Sequence, residues 1–215
     1  MEDQAIVKSG PHFEREHGTI EVDQAVRDAH LKSLRANLSE EEVDYVTQAF
    51  PIRTFKKGTI LLRAGEISRD CYYNLKGLVR QYQLINGEER STFFYTEGHS
   101  ISSMTSYRQK VASKHFLSCI EDTTLSVINY EKEKAFYKRF PHFIEMCRES
   151  TEEELGNYQN MLSDYITSKP EERYQSILET RPELIKRVPL YMLASFLGVT
   201  PESLSRIRKR VIKKS

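Results

Sequence analysis

The sequence predicts an α+β chain with three parts: an N-terminal β-roll (a double-stranded β-helix), one long helix and a C-terminal helix-turn-helix. Three observations carry this. Residues 52–130 break into eight short β-prone runs separated by glycine-bearing turns, the spacing of a roll, barrel or sandwich. Residues 141–167 place apolar or neutral residues three or four apart on a highly charged background. Residues 189–215 read as two helices around Gly198, apolar on one side and basic on the other.

The 215 residues, 39% hydrophobic and 29% charged, leave room for one large domain or two small ones. No run of 18 apolar residues occurs, so no membrane-spanning helix is expected. The opening residues lack the charged-then-apolar pattern of a signal peptide. Cys71, Cys119 and Cys147 are far apart and odd in number, which fits a reducing cytoplasm rather than a disulfide framework. They have no C-x-x-C spacing, and no metal site is expected. The six histidines include no H-x-H pair, which argues against a cupin-like enzyme on a β-roll. No catalytic residue is expected.

Residues 1–20 are polar and aperiodic and read as an N-terminal arm. Over 22–38, Val22, Val26, Ala29, Leu31 and Leu34 permit a helix. Ser39 with Glu42 three later is a capping box. It opens a second helix with Val43, Val46 and Phe50 on one side, ended by Pro51. The strand runs IRTF, TILLRAG, CYYNLKG, LVRQYQLI, RSTFFYT, HSIS, HFLSCI and TLSVINY follow. Among their turns Asn86-Gly87 is the strongest signal, since a type I′ hairpin needs positive φ at both residues.

A short helix over 131–139 precedes Pro141. The long helix then runs over 141–167 with a stripe of Ile144, Cys147, Thr151, Leu155, Tyr158, Leu162 and Tyr165. So narrow a stripe is best explained by two partners, the β-domain and a twin helix, hence a homodimer through 141–167. Ser168 followed by Pro170 and Glu171 signals the next start, with Ser168 as the cap. That helix is expected to turn Tyr174, Ile177 and Leu178 inward, and a short turn over 183–186 leads into the last unit. The expected organisation is an arm over 1–20, a roll over 21–140, a connecting helix over 141–167 and a helix-turn-helix domain over 168–215.

In that last unit Leu190, Met192, Leu193, Phe196 and Leu197 form the apolar face of the first helix. Gly198 ends it, because glycine takes the left-handed conformation of a sharp helix exit. Thr200 can cap the second helix and Pro201 fits its first turn. Leu204, Ile207 and Val211 point one way, and the small Ala194 lets the helices cross closely. The other face carries Glu202, Ser205, Arg206, Lys209 and Arg210. Residues 203–215 hold six of the 32 basic residues and none of the 31 acidic ones, which leaves 26 basic against 31 acidic elsewhere. A basic tip on an acidic body points to a polyanionic partner.

Several motifs carry a family resemblance. In the roll they are Phe55-Lys56-Lys57-Gly58, Gly65-Glu66, Asn74-Leu75-Lys76-Gly77-Leu78-Val79, Tyr95-Thr96-Glu97-Gly98 and Ile120-Glu121-Asp122-Thr123. Beyond it come Glu172-Arg173-Tyr174, Arg187-Val188-Pro189 and the run GVTPESLSRIRKR. Over roughly residues 25–215 the chain resembles the CRP/FNR superfamily of bacterial transcription regulators, in the branch common in Bacteroidetes-type bacteria. The resemblance implies a cyclic-nucleotide-binding-like roll, a dimer, double-stranded DNA and RNA polymerase as partners, and no membrane.

Family members that bind cyclic AMP use a Gly-Glu pair for the ribose and an Arg-Ser/Thr-Ala run for the phosphate. Here those positions fall at Ser102 and Ser103, without a carboxylate, and at Lys114, His115 and Phe116. Lys114 lacks the bidentate fork and Phe116 crowds a site that wants a small residue. Cyclic AMP is therefore not expected as effector. Ser102, Ser103, Lys114 and His115 remain candidates for an effector pocket of another kind. The alternative is a regulator that still depends on a cyclic nucleotide. A cysteine-ligated iron–sulfur cluster has no ligand set, and His99 and His115 do not recommend themselves as haem ligands.

The resemblance also places the second helix of the motif in the DNA major groove. The family's Arg-Glu-x-x-x-Arg pattern matches at Glu202 and Arg206, while Pro201 stands at its first Arg. Glu accepts from a cytosine amino group and Arg donates twice to guanine. Ser203 and Ser205 are further candidates, and Arg208, Lys209, Arg210, Lys213 and Lys214 are assigned to phosphates. With the sequence ending at Ser215, the two-stranded wing that usually follows is expected to be truncated.

Overall fold

All eight β-prone runs become strands, and the helices flank them on both sides in the chain. The computed structural model describes residues 22–214, with side chains up to Val211. The arm expected over 1–20 and the side chains of Lys213 and Lys214 lie outside the described residues. Helix α1 (Gln24–Asn37) is capped by Asp23, and α2 (Glu40–Ala49) opens on the Ser39–Glu42 capping box, with both reciprocal bonds formed.

The strands are β1 (Ile52–Phe55), β2 (Ile60–Leu62), β3 (Asp70–Lys76), β4 (Val79–Ile85), β5 (Glu88–Tyr95), β6 (Ser100–Ile101), β7 (Phe116–Cys119) and β8 (Thr123–Asn129). They form two antiparallel sheets, ordered β1-β8-β3-β6 and β2-β7-β4-β5. Asn86 (φ 53°) and Gly87 (φ 82°) both adopt the positive φ that the hairpin between β4 and β5 demands. Phe55, Leu62, Tyr72, Val79, Phe93, Tyr95, Ile101, Leu117 and Leu125 fill the space between the sheets.

One helix was not legible: α3 (Met104–Gln109) follows β6. Its six residues are held by tertiary bonds rather than by an apolar repeat. Ser106 Oγ accepts from the Ser68 amide (2.8 Å) and donates to Val111 O (2.6 Å), and Tyr107 Oη donates to Glu133 (3.2 Å).

Helix α4 (Tyr130–Arg139) leads into α5 (His142–Thr167). Phe50, Phe136, Phe140 and Phe143 pack together and anchor the start of α5. Beyond that the stripe divides. Tyr158 turns into the roll against Phe93, ring centroids 5.4 Å apart, whereas Ile144, Leu155, Leu162 and Tyr165 are exposed.

The next boundary is shifted by one residue from the expected one. Ser168 closes α5, with its amide and Oγ both bonded to Asp164 O, rather than capping the next helix. Lys169 is the N-cap of α6 (Pro170–Thr180), and Glu172 accepts from its amide (2.6 Å). Tyr174 and Ile177 are buried as expected, but Leu178 is exposed. The expected turn over 183–186 is a helix, α7 (Pro182–Arg187). Last come α8 (Leu190–Leu197) and α9 (Pro201–Lys214).

Candidate nucleic-acid interface

The C-terminal helix-turn-helix, called the head below, is built by packing one face of α9 and freeing the other. Leu204, Ile207 and Val211 are buried against Leu193, Ala194 and Leu197 of α8. Ala194 is fully buried, so no longer side chain separates the two helices there. Gly198 (φ 71°) ends α8 in the left-handed conformation. Thr200 Oγ1 accepts from the Ser203 amide (3.3 Å), the bond expected of an N-cap.

The free face holds Glu202, Arg206, Lys209 and Arg210, all exposed. Ser203, Ser205 and Arg208 are half-buried at its margins. A short polar chain orders the first turns. Thr200 Oγ1 donates to Ser203 Oγ (3.2 Å), which accepts from Arg206 Nη2 (3.3 Å). The Glu202 carboxyl is held below its ordinary pKa by its own backbone amide, by Thr200 and by Arg206. An acceptor and a fork of donors thus stand one turn apart on the open face. Arg210 is committed elsewhere: it pairs with Glu171 of α6 at 3.0 Å.

The C-terminal helices are seated on the roll along β5 and the turns beside it. β5 is an edge strand, and its outward backbone groups need partners. Ser195 Oγ of α8 accepts from the Ser91 amide (3.0 Å) and donates to Glu89 O (3.0 Å). Arg181 donates to Phe94 O (2.8 Å). Phe94 packs edge-on against Phe196, and Leu78, Phe94 and Ile120 of the roll join the core of the C-terminal helices. Arg187 forks onto Glu97 (2.9 Å) and also pairs with Glu121. Beneath this seat Arg80 is buried, paired with Glu89, bonded to Ser91 and lying over the Tyr82 ring.

Neither a protein-family model nor a curated protein matches the chain. Solved structures do. The c-di-GMP responsive global regulator CLP of Xanthomonas campestris superposes with a TM-score of 0.64 at 16% identity, over 82% of this chain and 93% of that one. A CooA mutant from Carboxydothermus hydrogenoformans gives 0.63 at 16%, over 86% and 84%. FixK2 from Bradyrhizobium japonicum gives 0.63 at 16%, over 77% and 85%. The chain shares the fold of these proteins.

Within this fold two of the four candidate effector residues are joined through a third side chain. Ser103 and His115 are linked through Ser113, whose Oγ donates to Ser103 Oγ and accepts from the His115 amide, both at 3.0 Å. Lys114 is exposed, and Ser102 lies beside the Cys71 thiol. His115 Nδ1 sits 3.2 Å from Gln83 Nε2, and burial lowers its pKa. Phe116 stacks on Tyr82 at 4.9 Å. Clefts of about 480 Å³ at His30, Tyr73 and Lys76, and of about 200 Å³ at Arg53, Tyr72 and Asn129, are lined by none of the four. Among the described residues no helix is long and apolar enough to cross a membrane.

Proposed function

We propose that the chain is a dimeric, sequence-specific DNA-binding transcription regulator. The observation that carries this is the open face of α9, where Glu202 and Arg206 stand clear of a helix-turn-helix whose core is fully packed. The N-terminal turns of such a helix are the part that reaches base edges. Glu202 accepts from a cytosine amino group and Arg206 forks onto a guanine. Lys209, with Arg208 and Arg210 when released from Glu171, neutralises phosphates. Two copies joined through α5 present two heads about 34 Å apart, one turn of DNA, so the operator is near-palindromic. Regulation is then exerted on RNA polymerase in the cytoplasm, and the chain itself catalyses no reaction.

Cyclic AMP is not the effector in this reading. The support is the filling of the roll, where Phe93, Tyr95 and Tyr158 occupy the interior side of β5, and the absence of a carboxylate at Ser102 and Ser103.

Selection of duplexes from a random-sequence library, followed by gel-shift titration, tests both parts. Arg206→Ala is expected to weaken binding to the selected operator by about 1–3 kcal/mol while leaving binding to random duplex nearly intact. Equal loss on both duplexes, or none on either, overturns the docking. Saturating cyclic AMP is expected to leave the titration unchanged, and a shift restores the cyclic-nucleotide-dependent alternative.

A further inference from the structure

Arg173 stands where the long helix and the reading head meet. It lies on α6, and its Nη1 donates to Tyr165 O (3.1 Å) and Ser168 O (2.7 Å), the last turn and the C-cap of α5. Its Nη2 donates to Leu197 O (3.0 Å), in the last turn of α8. The carbonyls at a helix C-terminus have no partner within their own helix and form the negative end of its dipole. One guanidinium therefore serves two helix ends at once. The same cation lies 4.4 Å over the Tyr165 ring. Its Nε is buried without a partner among the described residues, a cost that the three carbonyl bonds offset.

The turn of the reading head is seated against the same group. A Cβ added at Gly198 would lie 2.9 Å from Tyr165 Oη and 4.0 Å from Arg173 Nη2. Thus the end of α5, the start of α6 and the turn between α8 and α9 meet around one planar fork. A lysine brings the charge but not several donors in fixed directions.

We propose that Arg173 is a positioning residue for DNA reading: it fixes the angle of the helix-turn-helix on the end of α5, and so sets the half-site spacing that a dimer accepts. This rests on the dimeric DNA-reader function proposed above. A head free to swivel on the end of α5 still binds one half-site, but it loses its preference for one separation.

The test uses the full chain and the operator it selects from a random duplex library. Three further duplexes carry the two half-sites moved 2 bp closer, moved 2 bp apart, or a single half-site. The unaltered protein is expected to prefer the selected spacing by about tenfold. Arg173→Ala and Arg173→Lys are expected to bind the single half-site as the unaltered protein does, with the spacing preference reduced to about twofold or less. A merely structural role would weaken half-site binding together with thermal stability and leave the preference intact, and that result overturns the proposal. Should Arg173→Ala not fold, Arg173→Lys decides, since it keeps the stem and the charge. If the unaltered protein selects no two-half-site operator, the dimeric reading fails first and this inference falls with it.

Discussion

Gly77 shows how one residue lets the roll close. It joins β3 to β4 at φ 108°, and an added Cβ would lie 2.6 Å from Thr123 Oγ1, 2.7 Å from Thr123 Cα and 2.9 Å from Asp122 O. Two of those atoms are backbone at the start of β8 and cannot rotate away. Gly87, at φ 82°, has nothing within 4 Å of its would-be Cβ. The two positions separate strain from collision. Gly87→Ala is expected to cost about 1 kcal/mol, the penalty of a left-handed non-glycine residue. Gly77→Ala adds a collision with fixed atoms and is expected to cost about 2–4 kcal/mol. Urea unfolding of the two variants measures the difference, and equal midpoints would mean that the turn at Asp122 and Thr123 yields freely.

At the scale of elements, α5 carries the clearest unfinished surface. Leu155 and Leu162 are 55% and 58% exposed and one heptad apart, with Ile166 72% exposed a turn further on. Replacing both leucines by Asp is expected to yield a monomer by light scattering with helical content retained, and a surviving dimer would place the interface elsewhere. The stripe was legible because its period shows in the sequence. The eight strands were legible for a similar reason: short β-prone runs end at glycines, five of which (58, 65, 77, 87 and 98) take positive φ. Helix α3 was not, since MTSYRQ has no repeat and depends on Ser68 and Glu133 far away in the chain. Ser168 misled because its local sequence fits a cap, yet the end of α5 claims its hydroxyl. Tyr158 sits on the helical stripe but answers to Phe93 across the roll. The basic face of α9 could be read from amphipathicity alone. The roles of Arg173, Arg187 and Ser195 could not: the first two show only as members of family-like motifs, and the bonds of the three to Leu197, Glu121 and Glu89 span 24, 66 and 106 residues.

At the scale of the molecule, the C-terminal helices and the roll share one core, and the ion cluster at its rim gives their union a pH dependence. Burial pushes the Glu97 carboxyl up, but the Arg187 fork and the Gly77 amide outweigh it and hold the pKa at about 2, against an ordinary 4.5. The bonds to Glu97 and Glu121 in turn raise Arg187 above its usual value. A carboxylate with a depressed folded-state pKa binds its proton more readily in the unfolded chain. Its contribution is therefore complete above 4.5 and is lost as pH falls towards about 2. Removing the guanidinium also leaves Glu97 and Glu121 without the cation they share. Arg187→Ala is expected to destabilise the protein at neutral pH by about 1–2 kcal/mol, a figure kept low because the carboxylates are partly exposed and screened. Between pH 4.5 and 2 its unfolding free energy should fall less steeply than that of the unaltered protein, since the carboxylate no longer gains from ionising. Chemical unfolding across that window measures both slopes. The seat itself has a second, salt-insensitive component in Phe94, Phe196 and the Ser195 bonds to β5. Energy transfer between labels on the roll and on α9 should therefore show a weakened seat in Arg187→Ala and a further loss when Ser195→Ala is added, with the shared core of Leu78, Phe94 and Ile120 still holding the two together. Parallel acid slopes for the variant and the unaltered protein would instead assign the Glu97 shift to the Gly77 amide alone.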